Sequence, residues 1–213
     1  MNKFLSRAGL ALALLFGATA SYAATLDDAV LAVQHGWAQA YYQAPKSQKD
    51  AAFAKLIGEA DAMVQTYPDR AEALTWHAIV LSSAAKFGGG LGALKQVKQA
   101  REDLLKAEQI DPRALNGSVY TSLGSLYANV PGWPLAFGDK KQAEAYLKKA
   151  LTINPTGIDP NFFYGELLAT RGDAAGARGY YEKALAAPPR PGREDADAGR
   201  RAEINAALAK LAP

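Results

Sequence analysis

The chain has 213 residues, 24 Lys and Arg against 21 Asp and Glu, and no cysteine. Disulfides cannot form, and the thioether-linked lipid anchor of bacterial lipoproteins has no attachment point. The near-balanced charge gives no basic stripe of the kind that nucleic-acid binding requires.

At the start of the chain Lys3 and Arg7 precede an apolar stretch over residues 10–20 that ends in Ser21, Tyr22 and Ala23. A charged start, a short apolar centre and a small-x-small end make a secretory leader. The stretch is well short of the roughly 20 residues that span a bilayer. Cleavage after Ala23 is therefore expected. It would leave residues 24–213 as a periplasmic or secreted protein with no stable membrane anchor, and the loss of Lys3 and Arg7 would lower the formal charge of +3 by two.

Helical patterns then follow without interruption by any useful strand-like alternation. A first pair spans residues 26–68, and its second helix has Ser47 and Asp50 in capping-box spacing. A second pair, 71–114, has Leu74, Ala78 and Leu81 in its first helix and Ala100, Leu104, Ala107 and Pro112 in its second. Between the two helices stands "KFGGGLGALK", expected to be an enlarged turn. A third pair, 117–157, carries Tyr120, Leu123, Gly124 and Tyr127, then Ala143, Leu147, Ala150 and Pro155. Its halves are parted by "VPGWPLAFGD", a second enlarged turn, in which Asp139 is placed to cap the following helix.

In the fourth pair, 158–191, Asp159 and Pro160 read as an N-cap acceptor followed by proline at the first helical position. Gly172 and Asp173 read as a stop followed by a cap. Gly165, Leu168, Ala177, Tyr181, Ala184 and Pro189 complete the pair. The stretch "APPRPGRED" breaks the pattern, and an amphipathic helix over 194–211 closes the chain.

The recurrence of small residues at repeat positions 8, 20 and 27 and large ones at 11 and 24 resembles the tetratricopeptide repeat, a pattern of roughly 34 residues. Small side chains let two antiparallel helices pack closely, and large ones fill the groove to the next pair. The resemblance implies an all-α, right-handed solenoid of about four hairpins plus a C-terminal capping helix, the first hairpin being a degenerate terminal unit. It also implies a concave face lined by the first helix of each pair, carrying Glu72, Thr75, Ser82, Ser83, Ser118, Thr121, Ser125, Asn129, Phe162, Glu166 and Thr170. More faintly, a leader followed by helical repeats with enlarged turns resembles the T component of TRAP-type periplasmic transporters, an accessory of a solute-binding protein.

The candidate binding residues are Thr121, Ser125, Asn129, Phe162 and Glu166 on that face, and Gly89, Gly90, Trp133 and Phe137 in the enlarged turns. The glycines do not complete a phosphate loop, because Leu94, Lys95 and Gln96 stand where glycine, lysine and a hydroxyl residue are needed. For Trp133 and Phe137 two readings stand: the rings present themselves to a ligand, or they fold back and plug the core. Phe137 follows Leu135 and Ala136 in an apolar run and suits the plug, whereas Trp133 is held away from helical geometry by prolines on both sides.

No catalytic residues, metal ligands or cofactor are assigned. His35 and His77 have no second histidine or cysteine at ligand spacing and read as packed or partly exposed helix residues. Asp195 and Asp197 read as helix-start acids, and Arg190, Arg193, Arg200 and Arg201 as surface ion-pairing residues. The expected function is non-enzymatic binding of a protein partner, or of a small ligand, by an envelope adaptor. The alternatives are a transport accessory or a periplasmic enzyme with its site between the enlarged turns.

Overall fold

The computed structural model describes residues 25–211, and the leader expected over residues 1–23 lies outside them. Among the described residues the chain is helical throughout, with no strand, and no helix is long and apolar enough to cross a membrane.

α1 (Leu26–Ala38) starts at a capping box: Thr25 Oγ1 accepts from the Asp28 amide at 3.2 Å, and the Thr25 amide donates back to Asp28. It runs into a π-helical turn, Gln39–Gln43, which brings two adjacent tyrosines onto one ring. Tyr41 stacks on Trp37 at 4.9 Å and Tyr42 meets it edge-on at 5.4 Å. A 3-10 turn, Lys46–Gln48, leads into α2 (Lys49–Thr66). The capping box expected of Ser47 and Asp50 does not form. The 3-10 turn delivers the chain with helical backbone already at Gln48, so no extended residue is left to act as N-cap.

α3 (Ala71–Gly88) and α4 (Gly90–Ile110) are joined by Gly89 alone. The expected enlarged turn is thus not a loop: the extra residues lengthen both helices. Leu91, Ala93, Leu94 and Lys95 are good helix formers and carry the turn, and Gly89, at φ 65°, reverses the chain in a conformation that a side chain would disfavour. The added length of α3 is held by Phe87, whose ring lies 5.5 Å from Phe53 and 5.4 Å from Tyr41.

α5 (Ala114–Asn129) pairs with α6 (Lys140–Ile153), and α7 (Ile158–Thr170) with α8 (Ala174–Leu185). α9 (Glu194–Lys210) closes the chain. α1, α3, α5 and α7 lie side by side as an inner row. Between repeats 71–114 and 117–157 the frame leaves two surplus residues, Leu115 and Asn116, and these form a left-handed turn with Gly117. Asparagine and glycine tolerate that conformation; leucine does so at a cost, offset by packing its side chain against the core of the first hairpin.

The repeat frame is visible in the packing. Ala78, Ala100, Ala107, Ala143, Ala150, Ala177 and Ala184 are all fully buried. A Cβ on Gly124 would stand 2.5 Å from Leu147, and one on Gly165 would stand 2.8 Å from the Tyr181 ring. Each glycine therefore lets its partner helix approach. Gly172 ends α7 at φ 82°, and Asp173 accepts from the Gly176 amide at 2.8 Å to start α8. Asp159 does not cap α7, because Gly157 is the N-cap and Asp159 already lies inside the helix. Its carboxylate is turned instead toward the C-terminal segment.

His77 ties three helices together. Its Nδ1 lies 2.7 Å from Asp103 on α4 and its Nε2 lies 2.9 Å from Asp61 on α2. Burial alone would lower the imidazole pKa, but the two carboxylates outweigh it and raise it above 6.5. The raised value means that His77 adds stability that is complete below about pH 6.5 and is lost as pH rises through its folded-state value. The urea midpoint is expected to fall over that interval, and His77→Gln should flatten the fall.

Two glycines on the paired helices of one hairpin give opposite expectations. Gly165→Ala should destabilise by ~1 to 3 kcal/mol through the collision with Tyr181. Gly179→Ala, where a Cβ meets nothing within 4 Å, should stabilise by ~0.5 to 1 kcal/mol in the middle of α8. Denaturant melts of both variants check the pair.

Candidate functional site

The inner row presents fewer free groups than the repeat frame implies. Thr75, Thr121 and Phe162 are buried, and the Thr121 hydroxyl bonds back to the Gly117 carbonyl at 3.3 Å. Ser82 and Ser118 also bond to their own helices, and Ser83 accepts from the Trp37 indole at 2.8 Å. Asn129 donates to the Ser125 carbonyl at 2.8 Å, and Glu166 accepts from the Tyr181 hydroxyl. Thr170 and Asn129 remain exposed at the C-terminal ends of their helices.

At Phe162 the cover is α9, whose Arg200 guanidinium lies over the ring. Besides packing on α8 and α7, it crosses the inner row to α1 and the π-helical turn. Asp195 lies 3.0 Å from His35 Nδ1, Ala196 is buried in the core of the first hairpin, and the Tyr42 hydroxyl donates to Glu203 at 3.1 Å. A Cβ on Gly199 would collide with the Tyr42 ring, so the ring lies directly on the helix backbone. The last helix therefore does more than cap the last hairpin: it joins the two ends of the array.

Asp159 anchors that crossing. It accepts from Arg190 at 2.7 Å and from Arg200 at 2.9 Å, while Arg190 also pairs with Asp197 at 2.6 Å and Arg200 with Glu203 at 2.6 Å. Burial would raise the Asp159 pKa, but Arg200 and Arg190 outweigh it and hold the carboxyl far below its usual range. Arg200 is buried, and its guanidinium lies 4.4 Å from the centre of the Phe162 ring. Of the four arginines expected to form surface ion pairs, Arg190 and Arg200 thus build an inward-facing network and Arg201 donates to the Leu185 and Ala187 carbonyls, while Asp197 is a buried ion-pair partner in addition to its place in the first turn of α9. The Arg193 side chain has neither kind of partner among the described residues. It lies 4.9 Å over the Trp76 ring, and burial together with Arg190 lowers its pKa to about 10.

The opposite situation holds at the turns joining first to second helices. The loop at residues 130–139 is closed at its base: the Gly138 amide donates to the Pro131 carbonyl at 2.9 Å, and the Asp139 amide to the Tyr127 carbonyl at 3.0 Å. Asp139 then caps α6, accepting from the Lys141 and Gln142 amides. Phe137 turns inward, edge-on to Tyr127 at 5.5 Å, with the Arg101 guanidinium 4.5 Å from its ring. Trp133, joined to Pro134 by a cis peptide bond, is 90% exposed, and Leu135 is 68% exposed. A cleft of about 250 Å³ opens between the loop and Lys98, Arg101 and Glu102 of α4. Gly89 and Gly90 are exposed beside Leu91 at the tip of the lengthened hairpin.

The structure thus separates the candidate residues. Trp133 is exposed together with Leu135, which is absent from the sequence-based candidates although it lies two residues away in the same loop. Phe162 lies under Arg200, and Thr121 is buried within the inner row.

Comparison with known proteins bears on the fold. A model of the tetratricopeptide repeat matches residues 135–156. No curated protein sequence matches the chain. Among solved structures, a thermophilic TPR protein of Thermus thermophilus superposes with a TM-score of 0.56 at 18% identity, covering 87% of this chain and 90% of that one. PilF of Pseudomonas aeruginosa, also 18% identical and covering 88% and 94%, reaches a TM-score of 0.37, too low to carry an argument. None of these findings bears on the fainter resemblance to a transporter T component. With the buried small residues in register, the repeat match and the superposition agree that this chain is a tetratricopeptide-repeat protein in fold.

Proposed function

We propose that the chain is an exported, non-enzymatic adaptor of the bacterial envelope that holds a protein partner at the loop edge of the array, with Trp133 as the anchor. One observation carries this reading: a tryptophan left 90% exposed on a loop whose base is closed by backbone hydrogen bonds. Tryptophan is over-represented among residues that dominate protein interfaces, and a loop whose backbone is fixed beforehand loses less freedom on binding. Leu135 extends the apolar contact, and the cleft, where Lys98 and Arg101 outnumber Glu102, leaves a net positive charge toward an acidic side chain of the partner. The export half of the reading rests on Lys3, Arg7 and the apolar stretch that follows them.

A photo-crosslinking residue placed at position 133 should yield one discrete protein adduct in envelope fractions, and Leu135→Asp in the same chain should abolish it. Trp133→Ala with Leu135→Ala should leave the melting temperature within a degree or so, since exposed positions contribute little. Phe137→Ala should cost about 2 kcal/mol, less than the ~3 to 5 kcal/mol of a fully buried phenylalanine. Diffuse crosslinking unaffected by Leu135→Asp would refute the docking edge.

A further inference from the structure

We propose that the inner groove is a second binding surface, that α9 is its displaceable resident, and that the partner it fits is a helix of α9's own pattern bearing a hydrogen-bond acceptor where α9 carries Arg193. The site is separate from the Trp133 edge and stands whether or not that edge binds anything.

Three observations support it. First, α9 meets the first hairpin and α7 through ionic and polar contacts, from Asp195 to His35, Glu203 to Tyr42 and Arg200 to Asp159, and its apolar anchorage is limited to buried Ala196 and Ile204 with Ala207 and Leu208 partly buried beside them. Buried ion pairs specify a position more than they strengthen it. Second, residues 186–193 contain three prolines and no helix, so α9 can leave without unwinding α8. Third, the fit is incomplete. Among the described residues three buried side-chain polar atoms lack a hydrogen-bond partner, and two of them, Trp76 Nε1 and Arg193 Nε, belong to the pair that meets where α9 begins. An unsatisfied buried donor is a recurrent cost of the bound state. Both orphans are donors, so they cannot satisfy each other.

The groove's demands define the incoming helix. It needs small residues at the places of Ala196 and Gly199, because the Tyr42 ring leaves no room for a Cβ at the latter, and an arginine at the place of Arg200 to meet Asp159. An acceptor three residues before the first small position would satisfy the Trp76 indole. An incoming segment must compete with a tethered helix at high effective concentration, so this acceptor is what gives it an advantage.

Gly199→Leu in the full mature chain should expel α9, because the new side chain meets Tyr42. A labelled peptide of residues 188–211 should then bind this variant at least tenfold more tightly than it binds the wild type. The same peptide with Arg193→Gln should bind more tightly again, and Asp159→Asn in the protein should abolish both. Equal binding of the peptide to wild type and variant overturns the displaceable resident, and equal binding of the two peptides overturns the assigned acceptor. If Gly199→Leu does not fold, hydrogen exchange on the wild type decides: α9 amides should exchange at least tenfold faster than those of α7 and α8. Exchange of all three at one rate shows α9 to be an inseparable part of the core and refutes the proposal.

Discussion

A single carboxylate, that of Asp159, receives two guanidinium groups from the C-terminal segment, one from the linker and one from α9. Arg200 is buried and Arg190 half-buried against it, and Asp197 and Glu203 complete the pairing, so the charges taken from water are compensated. Both the linker and α9 are fastened to α7 through this one acceptor, with the Arg200 guanidinium lying over Phe162. What the outer hairpins achieve with alanine and glycine, a close approach of helices, the inner closure achieves with charge.

The repeat frame was legible because it is local. Small residues recur at fixed spacing and each marks a contact within its own hairpin, so Gly124, Gly165 and the buried alanines could be placed from the sequence. The same locality misled at Asp159 and at Ser47. Aspartate before proline and serine three residues before aspartate both have the form of a cap, but form alone does not reveal that one carboxylate is engaged by residues more than thirty positions away, or that a 3-10 turn precedes α2. The run of glycines at residues 88–92 suggested a loop; the helix formers after it, together with the anchorage of Phe87, favoured helix.

The candidate surfaces were legible to different degrees. The inward Phe137 and outward Trp133 follow from the apolar run and the flanking prolines, which are adjacent in sequence. The destination of α9 has no such signal. Its arginines alternate with acids, and a string of that kind reads equally as a solvated helix or as half of an interior network. Only the complementary residues on α1, α3 and α7 distinguish the two, and they are scattered along the chain. The molecule consequently has two candidate surfaces of unlike character: an apolar edge that is open, and an ionic and aromatic groove that is occupied.

The closed base of the loop at residues 130–139 has a consequence for how this surface can change over generations. Gly138 approaches the Val130 carbonyl so closely that no side chain fits there, and the hydrogen bonds donated by the Gly138 and Asp139 amides fasten the ends of the loop to each other and to α5. The helices on either side are therefore insulated from whatever the tip displays. Replacements at positions 133 and 135 can be sampled without penalty to the hairpin, so binding preference can diverge between descendants while the scaffold is conserved, much as a tool handle accepts different heads.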